Sequence, residues 1–131
     1  MATHLKVHEQ TIMAGQVGDE DLLEIYKHAT LFLYPSRYEG FGLPVLEAMA
    51  CGVPVIASKA SSLPEVVGEA GYLVDPGRVE EWCEVILKLL GDTGLQELLR
   101  ERGRRRAKQF TWERTATRTI ECYQKTLEPP K

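Results

Sequence analysis

The 131-residue sequence contains few cysteines and lacks a long apolar run. Its three cysteines, Cys51, Cys83 and Cys122, form no CxxC pair, so we expect neither a disulfide framework nor a zinc cluster. No apolar stretch approaches the roughly 18 residues of a transmembrane helix, and the first ten residues lack the apolar stretch of a signal peptide. The length suits one domain. These absences predict a cytoplasmic protein without a membrane span.

Negative and positive charges are distributed unevenly along the chain. Residues 1–99 carry 6 Lys/Arg and 15 Asp/Glu, whereas residues 100–131 carry 10 and 4. A dense basic patch can bind phosphate or nucleic acid, but a solvated helix face is the simpler interpretation of such a run. No aromatic residue interrupts the basic run, so we do not expect nucleic acid as a partner. The run consists of Arg100, Arg102, Arg104, Arg105, Arg106 and Lys108.

Apolar patterning predicts alternating strands and helices, followed by helices only. The predicted strands are residues 10–17, 31–34, 53–57 and 71–74, separated by helices 19–29, 43–51 and 64–67. Helices 78–91, 94–110 and 112–127 follow, with Asp19 and Thr111 as expected N-caps of the first and last helices. The last helix has an amphipathic stripe. This order is typical of an open α/β sheet of about four parallel strands with a helical C-terminal cover.

The stretch from Pro35 to Glu47 joins a buried strand to a helix and is the most informative part of the sequence. Gly40 and Gly42 allow a ligand to approach the backbone closely, and a helix N-terminus favours a phosphate. Glu39 and Glu47 flank this place, and carboxylates accept hydrogen bonds from adjacent sugar hydroxyls. The spacing therefore indicates a ligand with both phosphate and sugar. A tight strand–helix turn with solvated glutamates explains the same spacing.

Three strings of residues carry a family resemblance: EGFGLPVLE (39–47), AMACGVPVIAS (48–58) and LPEVVGEAGYLVDP (63–76). They resemble the C-terminal, nucleotide-sugar-binding domain of GT-B-fold retaining glycosyltransferases, especially family 4. Glu39 and Glu47 match the family's two glutamates separated by seven residues. Residues 110–113 fit its closing helix, so the resemblance extends over about residues 10–127. It implies a Rossmann-like part-domain at 10–127, an N-terminal extension at 1–9 and a disordered tail at 128–131.

The resemblance also implies roles for individual residues. Glu39 would contact hydroxyls of the donor sugar and is the candidate catalytic residue, and Glu47 would bind the ribose. Backbone N–H groups of the intervening loop would contact the sugar and the distal phosphate. The family transfers sugar from a nucleoside diphosphate sugar with retention and needs no bound metal or other cofactor. The loop residues concerned are Gly40, Phe41, Gly42 and Leu43.

The sequence departs from the family pattern near its N-terminus. The acceptor domain, the first two strands of the donor domain, and the Arg and Lys that clamp the diphosphate have no counterpart, and Arg37 lies at a variable position. We therefore expect the isolated chain to be inactive, whether it is a fragment, a remnant or a subunit of a split enzyme. The alternatives are a non-catalytic nucleotide-sugar-binding or interaction module and a nucleic-acid-binding protein.

Loss of two strands predicts a bare sheet face and an unpaired edge. Such surfaces need a cover, so we expect a homo-oligomer, most simply a two-fold dimer through that face or by exchange of strand 10–17.

The remaining candidate residues are weaker. His4 and His8 have metal-ligand spacing if helical, but no third ligand is near. Glu65 begins a short helix, where stabilisation by the helix dipole is the simpler interpretation of its position. Trp82 and Trp112 are expected in the core or between helices.

Overall fold

The computed structural model describes residues 7–127, which form an α/β fold with one sheet. A 3-10 turn at His8–Gln10 precedes the regular elements. The helices are α1 (Asp19–His28), α2 (Leu43–Ala50), α3 (Leu63–Val67), α4 (Val79–Gly91), α5 (Thr93–Ala107) and α6 (Trp112–Leu127), and the strands are β1 (Phe32–Tyr34), β2 (Val55–Ser58) and β3 (Tyr72–Val74). The predicted tail 128–131 and most of the predicted extension 1–9 lie outside the described residues.

The three strands are parallel and lie in the order β1-β2-β3. Phe32 pairs with Val55 at the start of β1, and Ile56 pairs with Tyr72 across the other side of β2. Central strand β2 is buried along its whole length, as expected for a strand covered on both faces. The prediction of a parallel α/β sheet is thus confirmed for the three strands that follow residue 30.

The predicted strand 10–17 is wrong, so the sheet has three strands rather than about four. Beyond the 3-10 turn these residues are irregular, and Ile12 and Met13 are 92% and 88% exposed. Gly15 adopts a left-handed φ of 67°. A strand is stable only when a neighbour satisfies its backbone groups. None of the described strands pairs with this segment, so its apolar residues alone do not make it a strand.

Two apolar clusters cover the two faces of the sheet. Residues of α2 and α3 pack with Val55 and Ala57 on one face. On the other face, Trp82, Leu89 and Leu99 of α4 and α5 pack with Ile56 and Val74. The expectation of a bare second face is therefore wrong at β2 and β3, because the C-terminal helices fold across it. Leu33 on the edge strand β1 is still 42% exposed.

Arginine side chains of α5 donate hydrogen bonds to backbone carbonyls in or just after the helices α2 and α3. Arg100 Nη1 donates to the Gly52 carbonyl at 2.9 Å, just after α2. Arg102 reaches the Glu69 carbonyl at 3.4 Å, and Arg106 Nε donates to the Val66 carbonyl at 3.0 Å. These carbonyls lie at or beyond the C-terminal ends of α2 and α3, where intrahelical donors are lacking. The basic run thus includes structural residues, which the sequence analysis treated as a solvated face.

Two of the helix ends differ from the predicted capping. The N-cap of α1 is Gly18, with Asp19 as the first helical residue, so the prediction of Asp19 as cap is wrong. Thr111 is confirmed as a cap of α6, since its hydroxyl accepts from the Arg114 N–H at 3.2 Å. Asp92 caps α5 by accepting from the Leu95 N–H at 2.8 Å, a role that the sequence analysis missed.

Candidate functional site

The loop after β1 enters α2 through a glycine that the fold requires. Gly42 has a φ of 102°, and a Cβ built there would lie 2.7 Å from Leu63 Cδ2. A side chain at position 42 would therefore be strained and would collide with α3. No described side chain caps α2, whose second residue is Pro44. At the helix start, the N–H groups of Val45 and Leu46 donate to the Gly42 carbonyl and Pro44 has no N–H, so Leu43 is the residue of the first turn whose N–H stays available to a ligand.

Gly40, two residues earlier, is not required by packing. A Cβ built on Gly40 meets no described atom within 4 Å, and its φ lies outside the left-handed region. The space beside Gly40 is therefore open, and the side chains of Phe41 and Leu43, which follow in the same connection, are exposed. The two glycines that the sequence analysis treated alike therefore have different structural roles.

Two serines of the β2–α3 connection hold the loop in place. The Ser61 hydroxyl accepts from the Glu39 N–H and donates to the Glu39 carbonyl, both at 2.9 Å. The Ser62 hydroxyl lies 3.1 Å from the Glu39 carbonyl and 2.9 Å from the Phe41 carbonyl. Neither serine was predicted as a site residue, because these contacts join segments 21 to 23 residues apart. The feature of the sequence that could have indicated them is the pair of serines soon after a buried strand.

Glu39 is partly exposed and has a fixed orientation. The Tyr34 hydroxyl donates to Glu39 Oε1 at 2.8 Å. Hydrogen bonds from Tyr34 and Ser36 lower the pKa of the Glu39 carboxyl below its usual value, because they stabilise its charged form. The pKa of Tyr34 is raised to about 12, first by burial and then by its hydrogen bond to Glu39. Glu39 is therefore an ionised acceptor at neutral pH.

Glu47 lies one turn into α2 with an exposed side chain. The Tyr26 hydroxyl donates to Glu47 Oε2 at 3.2 Å and lies 3.5 Å from the Pro44 carbonyl. Burial raises the pKa of Tyr26 to about 12, and the Glu47 charge adds to this effect. Glu39 thus lies in the loop before α2 and Glu47 one turn into that helix, and each has a tyrosine partner. Their roles in ligand binding stay predictions.

An apolar cleft of about 500 Å³ opens beside Glu47, between α2 and the α5–α6 connection. Its lining includes Phe41, Leu43, Phe110 and Trp112, and the Phe41 and Phe110 rings meet edge to face with centroids 5.9 Å apart. Trp112 is 80% exposed, so its predicted place in the core or between helices is wrong. Trp82 is buried among α4, β2 and β3 residues, as predicted. The cleft depends on the position of α6, which residue spacing does not reveal.

The other candidate residues do not join this site. His4 lies outside the described residues, and within residues 7–127 no group of three or more His, Cys, Asp or Glu side chains is placed to hold a metal. Glu65 is exposed in the first turn of α3. Across the same residues, no helix combines the length and apolarity needed to cross a membrane.

Comparison with known proteins gives concordant matches. The family model of glycosyl transferases group 1 matches residues 1–106. O-antigen chain mannosyltransferase B from Escherichia coli is 53% identical over 109 residues, which are 83% of this chain and 29% of that protein. D-inositol 3-phosphate glycosyltransferase from Jonesia denitrificans is 47% identical over 94 residues, covering 70% of this chain and 22% of that protein. The chain spans 14–29% of the length of the first curated relatives it matches.

Solved structures agree with this assignment. Sucrose-phosphate synthase from Thermosynechococcus elongatus superimposes with a TM-score of 0.84 at 33% identity, over 95% of this chain and 32% of that chain. The C-terminal domain of the group 1 family protein LpcC from Francisella tularensis gives a TM-score of 0.71 at 31% identity, over 82% of this chain and 57% of that chain. The site geometry, the family match and these superpositions lead to one conclusion: this chain belongs to the glycosyl transferases group 1 family and has the α/β fold of GT-B glycosyltransferases.

Proposed function

We propose that this chain provides donor-binding contacts of a retaining glycosyltransferase, which moves a sugar from a nucleoside diphosphate sugar to an acceptor. The observation that carries the proposal is that the loop before the uncapped start of α2 holds Glu39 and the next turn of the helix holds Glu47, each oriented by a tyrosine hydroxyl. Two oriented carboxylates can accept hydrogen bonds from two sets of hydroxyls, and a helix N-terminus favours a bound phosphate. Membership in the glycosyl transferases group 1 family supports the same reading.

Each residue of the site has a distinct role in the proposal. Glu39 accepts hydrogen bonds from hydroxyls of the donor sugar, and Glu47 accepts them from the ribose. Backbone N–H groups of the loop bind the sugar and the distal phosphate. As the leaving diphosphate gains charge, the dipole at the start of α2 stabilises it. The loop residues are Gly40, Phe41, Gly42 and Leu43, and the proposal includes no resident cofactor.

The names of the relatives favour mannose as the transferred sugar. Mannosyltransferases from Escherichia coli match at 53% and 37% identity. A solved structure of HepE from Anabaena, 26% identical, contains UDP and glucose. We therefore propose a mannosyl donor, and titration with GDP-mannose and UDP-glucose decides between the two sugars. Tighter binding of UDP-glucose would contradict the choice of mannose.

Calorimetric titration of variants tests the roles of the two glutamates. Glu47→Ala is expected to weaken binding of both the nucleoside diphosphate and the nucleotide sugar. Glu39→Ala should weaken only the nucleotide sugar, and each loss should be about 1.5–3 kcal/mol, as for hydrogen bonds to charged groups. Glu121→Ala, on the exposed helix α6, is the control. Equal losses for both ligands in both variants would refute the assignment.

The two loop glycines provide a second test. Gly40→Ala should change the free energy of unfolding by less than about 0.5 kcal/mol, as for ordinary surface substitutions. It should nevertheless weaken nucleotide-sugar binding, because the added methyl group enters the open space beside the loop. Gly42→Ala should destabilise the fold by about 1–3 kcal/mol. Unchanged binding in Gly40→Ala would remove Gly40 from the proposed contacts.

We also propose that the chain alone has no transferase turnover. Much of the catalytic effect comes from holding donor and acceptor in register, and this chain covers only part of its relatives' length. Sustained glycosyl transfer by the purified chain would contradict this. Donor binding without transfer in any assembly with an acceptor domain would instead favour a non-catalytic binding module.

Self-association is the remaining part of the proposal. The C-terminal helices cover β2 and β3, so the part of the sheet left for a second copy is the outer edge of β1 with the exposed Leu33. Unpaired edges favour association. Sedimentation velocity should show a concentration-dependent dimer that Leu33→Lys dissociates. A monomer persisting at high concentration would contradict the proposal.

A further inference from the structure

A row of three aromatic rings links α1 and β1 behind the site. Tyr26 and Phe32 meet edge to face with ring centroids 5.6 Å apart, and Phe32 stacks on Tyr34 at 5.8 Å. Tyr26 is 7% exposed, and Phe32 packs against the same apolar cluster. The hydroxyls at the two ends of the row reach different glutamates. Tyr34 bonds Glu39, and Tyr26 bonds Glu47.

We infer that Tyr26 and Tyr34 are positioning residues that fix the carboxylates of Glu47 and Glu39 by donating a hydrogen bond to each. This inference rests on the proposed function for its consequence in donor binding. The contact itself is a property of the chain alone. Neither tyrosine is assigned a contact with the donor.

Packing explains why tyrosine can perform this task. A glutamate side chain on the surface has many rotamers, and ordering it on binding costs free energy. The tyrosine rings are held by their aromatic neighbours, so their hydroxyls have fixed positions. A donor at a fixed position orders the carboxylate before the ligand arrives. Preorganisation of this kind improves affinity without adding a contact to the ligand.

The two contacts leave the glutamates able to bind a ligand. A carboxylate has two oxygens with about four acceptor positions. Tyr34 and Ser36 each use one position on Glu39, and Tyr26 uses one on Glu47 Oε2. Each glutamate therefore retains acceptor capacity for a pair of adjacent hydroxyls. The hydrogen bond from Tyr34 also lowers the pKa of the Glu39 carboxyl, which favours the ionised form that hydroxyl binding needs.

Tyrosine-to-phenylalanine variants test the inference, since they remove only the hydroxyl and keep the ring. In the full chain, the pKa of the Glu39 carboxyl is measured by carbon-detected NMR titration. Tyr34→Phe should raise this pKa, because it removes a hydrogen bond to the charged form. Glu47→Gln should lower the pKa of Tyr26 from about 12 towards its ordinary value. Only part of the shift should disappear, because burial, its principal cause, and the nearby Cys51 and Tyr34 remain in the variant.

Binding of GDP-mannose and GDP, measured by calorimetry, tests the consequence. Tyr34→Phe should weaken GDP-mannose about threefold to tenfold, the range of one ordinary hydrogen bond, and leave GDP unchanged. Tyr26→Phe should weaken both ligands by a similar factor. Tyr38→Phe is the matched control, since Tyr38 lies in the same connection with a ring that is 82% exposed.

The two measurements separate the inference from the proposed function. An unchanged Glu39 pKa in Tyr34→Phe, or an unchanged Tyr26 pKa in Glu47→Gln, overturns the positioning contact concerned. Shifted pKa values with no binding of either ligand by the unmodified chain support the contacts and contradict the proposed function. Shifted pKa values with unchanged affinities overturn the claim that the tyrosines serve the site.

Discussion

Helices α5 and α6 are neighbours in the chain and differ in how they meet the rest of the molecule. The sequence of α5 is rich in arginine, with a weak apolar stripe, yet Leu99 and Gly103 are buried. In α6 a clear stripe recurs at helical spacing, yet none of its residues is buried. The exposed stripe consists of Trp112, Ala116, Ile120, Tyr123 and Leu127.

The difference shows what an amphipathic pattern does and does not predict. The pattern indicates which side of a helix is apolar, whereas burial requires another element beside that side. Gly103 of α5 faces Met49 of α2, and an added Cβ there would lie 3.5 Å from Met49 in ordinary van der Waals contact, so the two helices are packed closely at this position. The arginines of α5 add hydrogen bonds to carbonyls near the ends of α2 and α3. No described element gives α6 a comparable surface.

The largest expected effect is the difference in stability between truncating a buried apolar residue of α5 and truncating an exposed apolar residue of α6. Leu99→Ala should lower the free energy of unfolding by about 2–5 kcal/mol, because it leaves a cavity beside Trp82 and Leu89. Ile120→Ala should change it by less than about 0.5 kcal/mol. Urea denaturation of both variants measures the difference. Equal losses would mean that α6 is packed in solution.

A smaller effect is expected from the arginines. Arg106 bonds the Val66 and Glu65 carbonyls and lies over the Phe110 ring, so Arg106→Gln should cost about 1–3 kcal/mol. Arg105→Gln, an exposed neighbour, should change stability by less than about 0.5 kcal/mol. Because carbonyl contacts are less salt-dependent than surface ion pairs, the loss should persist at high salt. A loss that disappears at high salt would assign Arg106 to charge–charge interactions instead.

The smallest expected effect is a difference in local opening. Amide hydrogen exchange should be faster throughout α6 than in the middle of α5, because none of the residues of α6 is buried and burial opposes local unfolding. Mass spectrometry of peptides from the two helices measures this difference. Equal protection in a chain that sediments as a monomer would contradict the exposed placement of α6.

Much of the fold follows from local patterns. Uninterrupted apolar runs identify β1 and β2, although only β2 is buried along its whole length and Leu33 on the edge strand β1 is exposed. Proline and glycine place the limits of α2 to within one residue. The failure at residues 10–17 has a physical reason: a strand needs a partner, and an apolar run contains no information on whether one is present.

The site shows the same division between what local sequence patterns predict and what depends on the packing of distant segments. The sequence puts Glu39 just before α2 and Glu47 one turn into it, and the structure gives the helix these bounds. Sequence spacing does not reveal the serines that hold the loop or the tyrosines that orient the carboxylates. Contacts such as Ser61–Glu39 and Tyr26–Glu47 join residues 22 and 21 positions apart. Their formation depends on how α1, α2 and the β2–α3 connection pack together.

The sequence by itself determined the main helices, the three paired strands and their parallel direction, and it singled out Glu39 and Glu47 as candidates, because these depend on residue type and short-range spacing. Only the tertiary structure decided that Gly42 is required and Gly40 is not, that α5 is docked and α6 is exposed, and that a tyrosine stands behind each glutamate. These properties depend on the atoms that distant segments bring to a residue, and such neighbours are set by packing.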